Sequence, residues 1–306
     1  MGWRVVDCTN LQGSVRSERG AIVVSTNDGV EVRFPVEELA VVLFGVNTRF
    51  TSGTIHRLIG AGVTVLFCDW RGVPQGGAYE WSDHTRVGAR QLAQAASTAP
   101  KKKSLWAGLI RAKINAQVTV LDWAGAPESK LLKSLARDVR SGDPGNVEGH
   151  AARVYWSALF PGEEFVREPG SGFGRNACLD YGYMIVRGFG IRAVLAAGLN
   201  PALGVFHKGR SNPFNLVDDL IEPFRPVIDA AVLELSEDAT PHQPETKRAL
   251  VEAATTTYDA AGLTVPTVFE KLAQSVGRYF EGEISRVAVP KWIGPSLALQ
   301  SSADDG

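Results

Sequence analysis

The sequence predicts an α+β protein in which a small β-rich domain, residues 1–82, precedes a larger all-α domain, residues 83–290. The first observation is a change of hydrophobic period near residue 82, from alternation and short apolar runs to a spacing of three and four. The second is length, because 306 residues can form two domains that each bury a core. The last residues, 291–306, are predicted to form a disordered tail.

The β-rich domain is predicted from apolar runs separated by turn residues. Asn27-Asp28-Gly29 indicates a hairpin, since these residue types tolerate a positive φ. Two apolar runs, L-A-V-V-L-F and V-T-V-L-F-C-D, predict buried strands, and Gly60 and Gly62 close the helix between them. In chain order we predict a strand, a hairpin, a buried strand, a helix, a buried strand and a loop: Trp3–Cys8, Gly20–Ser25 with Val30–Phe34, Leu39–Phe44, Thr51–Ala61, Val63–Asp69 and Arg71–Ala78.

The all-α domain is predicted from helical spacing and from helix-start signals such as Asp143-Pro144, where Asp caps the helix and Pro fits its first turn. Between helices, Ala99–Lys103 is predicted to be an exposed basic break and Glu163–Gly174 a loop. The predicted helices are Asp83–Ser97, Ser104–Trp123, the helix opened by Asp143-Pro144, Asn176–Ala197, helical segments within residues 207–235, Thr246–Ala261 and Pro266–Phe280.

Composition limits the classes of function and the cellular location. The formal net charge is −1, so a nucleic-acid surface would have to gather its basic residues on one side. Three widely spaced cysteines without a C-x-x-C motif predict reduced thiols in a cytoplasmic protein, with no disulfide framework or zinc site. The most apolar long run, Ala193–Phe206, is too short for a membrane span and contains Asn200 and Pro201. We therefore expect a soluble, cytoplasmic protein that does not enter a membrane.

One stretch, residues 207–226, concentrates an imidazole, carboxylates and cations. Asp219 and Glu222 are three residues apart and would share one face of an amphipathic helix. Pro223 removes a backbone donor, so this helix should stop or kink beside the two acids. The alternative interpretation is a solvated acidic face with a nearby surface histidine.

A further acid, Glu148, lies in an apolar row of the helix that follows Pro144. Stepping by three and four from Glu148 gives Ala152, Tyr155 and Leu159. If this row packs inward, the carboxylate must be neutralised, paired or bound to a metal, because an unpaired buried charge costs several kcal/mol. The alternative is an acid of the capping region, which the helix dipole favours in the first turn.

The motif H-x-G-R followed by N-L-x-x-D-L-x-E-P-F-R-P resembles the histidine-and-acid block of the CRISPR-associated integrase family, in its type II-like form. Members of that family are the large catalytic subunit of spacer acquisition. Three further segments resemble the family in the same order: V-T-V-L-F-C-D at residues 63–69, E-G-x-A-A-x-x-Y-W at 148–156 and N-A-x-L-D-Y-G-Y at 176–183. The resemblance covers about residues 1–290.

By position, the resemblance implies that Glu148, His207 and Glu222 are catalytic residues and metal ligands. Asp219 matches a family acid that either binds the metal or supports a ligand. Other branches of the family have aspartate at the position of Glu222, so its mode of coordination is not fixed by resemblance. The resemblance also implies a homodimer joined mainly through N-terminal domains, and a small CRISPR-associated partner protein in a larger integration complex.

Two carboxylates and an imidazole suit Mg²⁺ or Mn²⁺, and they leave positions open for water and a phosphate oxygen. A single ion is favoured, because the set is small for two tightly held metals. Such a site can cut or join a phosphodiester, and integration is a transesterification that needs no ATP. The chain has no P-loop motif and no H-E-x-x-H motif, which disfavours an ATPase and a zinc hydrolase. If the acids repel one another without metal, removing one should not lower stability.

Double-stranded or branched DNA is the expected substrate, held through its phosphates. Candidate phosphate contacts beside the acids are Lys208, Arg210 and Arg225. A second basic group comprises Lys101, Lys102, Lys103, Arg111 and Lys113. The alternatives are a solvated lysine loop, and a salt bridge from Arg225 to Asp218 or Asp229.

Three functional hypotheses follow from these residues. The first is a metal-dependent integrase of CRISPR adaptation that joins protospacer 3′-hydroxyl ends to the repeat. The second is a structure-specific, metal-dependent nuclease for branched DNA without an integration role. The third is a DNA-binding scaffold whose acids only solvate a helix.

Overall fold

The computed structural model describes residues 4–70, 72–81, 84–162 and 164–295, and the chain divides into two compact units, residues 1–82 and 83–306. Among the described residues, the first unit is rich in strands and the second is helical. The mixed α+β fold class predicted from the hydrophobic period is therefore confirmed. The predicted strand start at Trp3 and the tail beyond residue 295 lie outside the described residues.

The described residues of the first unit form two four-stranded sheets. Its elements are β1 (Arg4–Cys8), β2 (Gly13–Glu18), β3 (Ala21–Thr26), β4 (Glu31–Pro35), β5 (Leu39–Phe44), β6 (Thr48–Phe50), α1 (Ser52–Ile59), β7 (Thr64–Cys68) and β8 (Pro74–Ala78). One sheet has the order β1-β5-β7-β8, in which the first three strands are parallel and β8 is antiparallel. The other has the order β4-β3-β2-β6, with an antiparallel meander from β2 to β4 and β6 parallel to β2.

Sequence pattern explains which strands of this unit could be predicted. All six residues of β5 are buried, as expected for a continuous apolar run in a parallel sheet. The predicted hairpin is the β3–β4 pair, with Gly29 at φ 90° in its turn. The loop prediction for Arg71–Ala78 is wrong in part, because residues 74–78 form edge strand β8. Pro74 is tolerated there as the first residue of an edge strand.

The second unit is built from helices. They are α2 (Val87–Ala95), α3 (Ala99–Trp123), α4 (Ser129–Asp138), α5 (Val147–Leu159), α6 (Gly174–Ala196), α7 (Asn215–Leu220), α8 (Arg225–Glu234), α9 (Pro244–Thr255) and α10 (Val265–Glu281). A short 3-10 helix, Glu222–Phe224, joins α7 to α8. The predicted basic break at Ala99–Lys103 is wrong, because these residues form the first turns of α3. Pro100 is accommodated because a proline in the first helical turn loses no hydrogen bond.

Close packing around α6 fixes the position of α7. A Cβ atom at Gly190 would lie 2.6 Å from Phe269 Cζ of α10 and 2.8 Å from Val217 Cγ1 of α7. Only a residue without a side chain lets these helices approach so closely, and α7 carries Asp219. Within the described residues, no helix combines the length and the apolar character that a membrane span needs.

Candidate metal centre

Two acids from distant parts of the chain converge on one lysine. Glu148, at the start of α5, and Glu222, in the 3-10 helix, both contact Lys113 of α3. Lys113 Nζ lies 2.7 Å from Glu148 Oε1 and 2.6 Å from Glu222 Oε2. The side chain of Glu222 is 6% exposed and that of Glu148 is 24% exposed. The pair of carboxylates thus surrounds a cation at the edge of the core.

The N-terminus of α5 is capped by residues other than Glu148. Asp143 accepts hydrogen bonds from the backbone N–H groups of Val147 and Glu148, each at 2.9 Å. The Asn146 side chain accepts from the N–H of Gly149. Because these two residues satisfy the free donors of the first turn, the Glu148 carboxylate is available for Lys113. Glu148 does lie in the first turn of α5, where the helix dipole favours an acid, but Asp143 and Asn146 provide the caps and the Glu148 carboxylate contacts Lys113.

Glu222 is held as a carboxylate by two cations. Arg225 Nε donates to Glu222 Oε1 at 3.0 Å, and the Arg225 guanidinium lies over the Tyr183 ring, 4.6 Å from its centroid. Burial alone would raise the pKa of Glu222, but Arg225 and then Lys113 outweigh it and lower the pKa to about 2. The alternative interpretation of Arg225, a salt bridge to Asp218 or Asp229, is not observed, because Arg225 pairs with Glu222 and Asp218 pairs with Arg187.

His207 is oriented by Asp219. The fully buried Asp219 accepts from the backbone N–H groups of Val205, Phe206 and His207, at 2.5, 3.2 and 3.1 Å. Its Oδ1 also lies 2.8 Å from His207 Nδ1. This hydrogen bond, with smaller electrostatic contributions from Asp219 and Glu222, raises the pKa of His207. With Nδ1 engaged, Nε2 is the ring nitrogen left for a ligand, and Asp219 acts through the histidine.

The loop that carries His207 is tightly folded against Asp219. A Cβ atom at Gly204 would collide with the carbonyl of His207 and would lie 2.8 Å from Asp219 Oδ2. On the other side, the His207 ring packs edge-on against Phe206, which stacks on the buried Trp106 at 4.1 Å between centroids. Because Asp219 and Glu222 are both buried, the interpretation of residues 207–226 as a solvated acidic face is wrong. As Pro223 predicted, α7 ends before Glu222.

The donor atoms fit a divalent cation, although they do not form a closed ligand set in this arrangement. Within the described part of the chain, no three His, Cys, Asp or Glu side chains lie close enough to hold a metal ion. Lys113 occupies the position between Glu148 and Glu222. Glu222 Oε2 is buried and receives no hydrogen bond of good geometry, so its contact with Lys113 is an ion pair without directional bonding. Two carboxylate oxygens and an imidazole nitrogen remain the donor types that Mg²⁺ or Mn²⁺ accepts.

The basic residues predicted to contact DNA lie in two separate places, beside His207 and at the beginning of α3. Lys208 and Arg210 are exposed and follow His207 directly. Lys101, Lys102 and Lys103 lie on α3, about 15 to 18 Å along the helix axis from Lys113 at ~1.5 Å per residue. Lys101 donates to the carbonyl of Phe280 at 3.2 Å and lies over the Tyr279 ring. The lysine run is thus part of α3 and is separate from the two acids.

A cavity of about 530 Å³ adjoins Glu222 and Lys113. Buried Asp229 also lines it and accepts hydrogen bonds from Tyr155, at 2.9 Å, and from Tyr183. Burial raises the pKa of Asp229 to about 6, although the hydrogen bonds from Tyr183 and Tyr155 oppose this effect. Sequence reasoning missed the roles of Asp229 and Lys113. Lys113 follows Trp106, Leu109 and Ile110 along a buried stripe of α3, which is the signal that identified Glu148.

Comparison with known proteins gives consistent matches. The family described as CRISPR associated protein Cas1 matches residues 9–248. The CRISPR-associated endonuclease Cas1 of Neisseria meningitidis serogroup C (strain 8013) is 37% identical over 239 residues, covering 78% of this chain and 77% of the relative. A casposase bound to integration product has a similar fold, with a TM-score of 0.76 at 19% identity, covering 100% of this chain and 99% of that one. A Cas6-RT-Cas1–Cas2 complex also has a similar fold, with a TM-score of 0.73 at 16% identity, covering 94% of this chain and 36% of that one.

Proposed function

The chain belongs to the Cas1 family of CRISPR-associated proteins and is an endonuclease and integrase of CRISPR adaptation, and on this premise we propose that Glu148, His207 and Glu222 form its divalent-metal site. The observation that carries the proposal is the convergence of Glu148 and Glu222 on one cation at 2.7 and 2.6 Å. The reaction is a transesterification in which a DNA 3′-hydroxyl attacks a phosphodiester, and one phosphodiester replaces another.

Each residue of the proposed site has a distinct role. A bound Mg²⁺ or Mn²⁺ would neutralise charge at the phosphate and lower the pKa of the attacking oxygen. Glu148 and Glu222 would supply hard oxygen ligands, and Glu222 is ionised without a metal because Arg225 and Lys113 lower its pKa. Asp219 engages Nδ1 of His207 and so leaves Nε2 as the nitrogen that would hold the ion.

Cations beside the acids hold the DNA. Exposed Lys208 and Arg210 follow the His207 ligand and are placed to neutralise phosphates near the reacting centre. Arg225 is anchored on Glu222 and lines the adjoining cavity, so we assign it to fixing the carboxylate as well as to phosphate binding. Lys101, Lys102 and Lys103 would act further from the reacting phosphate, since they lie at the beginning of α3.

We also propose double-stranded or branched DNA as substrate and a small CRISPR-associated partner in a larger integration complex. The casposase with its integration product and the complex containing Cas1 and Cas2 support this proposal. Within that assembly the chain would act as a homodimer joined through the domain of residues 1–82, followed by the all-α catalytic domain of residues 83–290. The three cysteines are buried and widely spaced in the sequence, which suits the reducing cytoplasm that we propose as its location.

A joining assay tests the function. The purified chain and its small partner are mixed with a short duplex bearing 3′-hydroxyl ends, a repeat-containing plasmid and Mn²⁺ or Mg²⁺. We expect covalent joining that EDTA abolishes and that a matched duplex with 3′-dideoxy ends cannot support. Metal-dependent cleavage of branched DNA without joining would favour the second hypothesis, a structure-specific nuclease, which agrees with the name endonuclease of the Neisseria relative. If the Glu148→Ala, His207→Ala and Glu222→Ala variants all kept full activity, the third hypothesis would be favoured, that of a DNA-binding scaffold whose acids only solvate a helix.

A further inference from the structure

We propose that Lys113 is an internal counter-ion that holds the place of the metal between Glu148 and Glu222, and that metal binding exchanges its ammonium for the divalent ion. This inference rests on the metal site of the proposed function. The ammonium lies 2.7 Å from one acid and 2.6 Å from the other, and its side chain is only 14% exposed. Without it, two acids would face each other at the edge of the core, which is costly for buried charges.

The contact is suited to exchange. Lysine carries a compact charge at the end of a flexible four-carbon stem, so it can leave without moving the helix backbone. Glu222 Oε2 receives no hydrogen bond of good geometry from it, and the oxygen is therefore held by charge alone. Glu222 also keeps its separate hydrogen bond from Arg225 through Oε1, so its carboxylate stays in place when the lysine departs.

The structure also provides a place for the departing ammonium. Lys113 and Glu222 line the cavity of about 530 Å³, together with Gln117. Gln117 lies one turn along α3 from Lys113, on the same side of the helix. Its Oε1 is buried and has no hydrogen-bond partner, which is a cost that a donor would remove. A rotation of the Lys113 side chain toward Gln117 Oε1 would satisfy this acceptor and vacate the position between the acids.

Metal affinity and metal-free stability then become linked through one side chain. Lys113 stabilises the metal-free protein, and the same contact competes with the ion. Replacing Lys113 by methionine should weaken the metal-free fold and strengthen metal binding. Replacing Gln117 by leucine should stabilise the metal-free fold, because the buried acceptor without a partner disappears. It should also weaken metal binding, because the ammonium loses its second position.

Titration calorimetry with Mn²⁺ alone, without DNA, tests the exchange. We expect Lys113→Met to bind Mn²⁺ at least about tenfold more tightly than the wild type, since a competing charge within a few ångströms is gone. In EDTA its Tm should fall below that of the wild type, and Mn²⁺ should raise its Tm by more. Lys271→Met removes an exposed lysine of α10, and this control should match the wild type in both measurements.

Gln117→Leu gives an independent readout on a chain that keeps Lys113. It should bind Mn²⁺ about tenfold more weakly, the size of a lost hydrogen bond to a charged group. Its Tm in EDTA should equal or exceed that of the wild type. In the Lys113→Met background the Gln117→Leu effect on Mn²⁺ affinity should vanish. If Lys113→Met does not fold without metal, the single Gln117→Leu variant decides the question.

Unchanged or weaker Mn²⁺ binding by Lys113→Met would overturn the exchange, as would unchanged binding by Gln117→Leu. Those outcomes leave the metal site standing, because the wild type still binds Mn²⁺. Absence of Mn²⁺ binding in both the wild type and Lys113→Met would instead refute the metal site of the proposed function. The two ideas are thus separated by the behaviour of the wild type.

Discussion

Replacing Asp229 by asparagine should change the pH dependence of stability. Asp229 is 1% exposed, and burial raises its pKa from the ordinary 3.8 to about 6. A carboxyl group with a higher pKa in the folded protein binds its proton more tightly there than in the unfolded chain. Its contribution to stability is therefore complete below pH 3.8 and is lost as the pH rises through about 6. At ~1.4 kcal/mol per pKa unit, the loss amounts to about 3 kcal/mol.

Chemical denaturation at intervals between about pH 3.5 and 7.5 measures this loss. The free energy of unfolding of Asp229→Asn, minus that of the wild type, should rise by about 3 kcal/mol across the range. Tyr155→Phe provides an internal check, because it removes a hydrogen bond that lowers the pKa of Asp229 and so should move the fall in stability to higher pH. A difference between Asp229→Asn and the wild type that does not vary with pH would refute the reasoning.

Three further predictions concern the site itself. Glu148→Ala, His207→Ala and Glu222→Ala should each abolish joining and be grossly non-additive if they bind one ion, and independent partial losses would contradict this. Asp219→Asn places an amide donor among backbone donors, so we expect a stability loss of about 1–3 kcal/mol and about 10- to 100-fold weaker Mn²⁺ binding, measured by denaturation and calorimetry. Gly204→Ala should cost about 1–3 kcal/mol, because its Cβ would meet Asp219 and the His207 carbonyl, and unchanged stability would show that the loop can relax.

Local patterns explain why much of the fold could be predicted from the sequence. The buried strands β5 and β7 and the long helices have a clear hydrophobic period that decides their type. Strand β2, G-S-V-R-S-E, has a weak pattern, and its pairing with β3 and β6 supplies the order that its composition lacks. The lysines before residue 104 suggested a break, but a helix accepts charged residues on its exposed surface as readily as a loop does.

The candidate site was predictable as far as each residue's own pattern allowed. Glu148 stood out because its neighbours in the helix are apolar, and His207 stood out through its motif. Periodicity cannot show that α3 and α5 bring Lys113 and Glu148 within 2.7 Å, because that contact arises from tertiary packing.

The position of Lys113 changes the expectation that removing one acid should not lower the stability of the metal-free protein. Removing Glu222 should now destabilise the metal-free protein, since Lys113 and Arg225 would lose a buried partner, a loss that costs about 3–5 kcal/mol in buried ion pairs.

The protonation states of Glu222 and His207 respond differently to pH, and Asp219 sets that of His207. Glu222 has its pKa lowered to about 2, so it is a carboxylate throughout the range in which the protein would work. Asp219 acts on the imidazole, because its hydrogen bond raises the pKa of His207. A histidine must be neutral at Nε2 to bind a metal ion, and the same contact that orients the ring therefore also favours its protonated, non-binding form. Metal binding should weaken as the pH falls through the raised pKa of His207, with Glu222 contributing no proton linkage in that range. The pH response of the site thus depends on the strength of the Asp219 hydrogen bond, and orientation of the ligand is gained at the expense of affinity in acid.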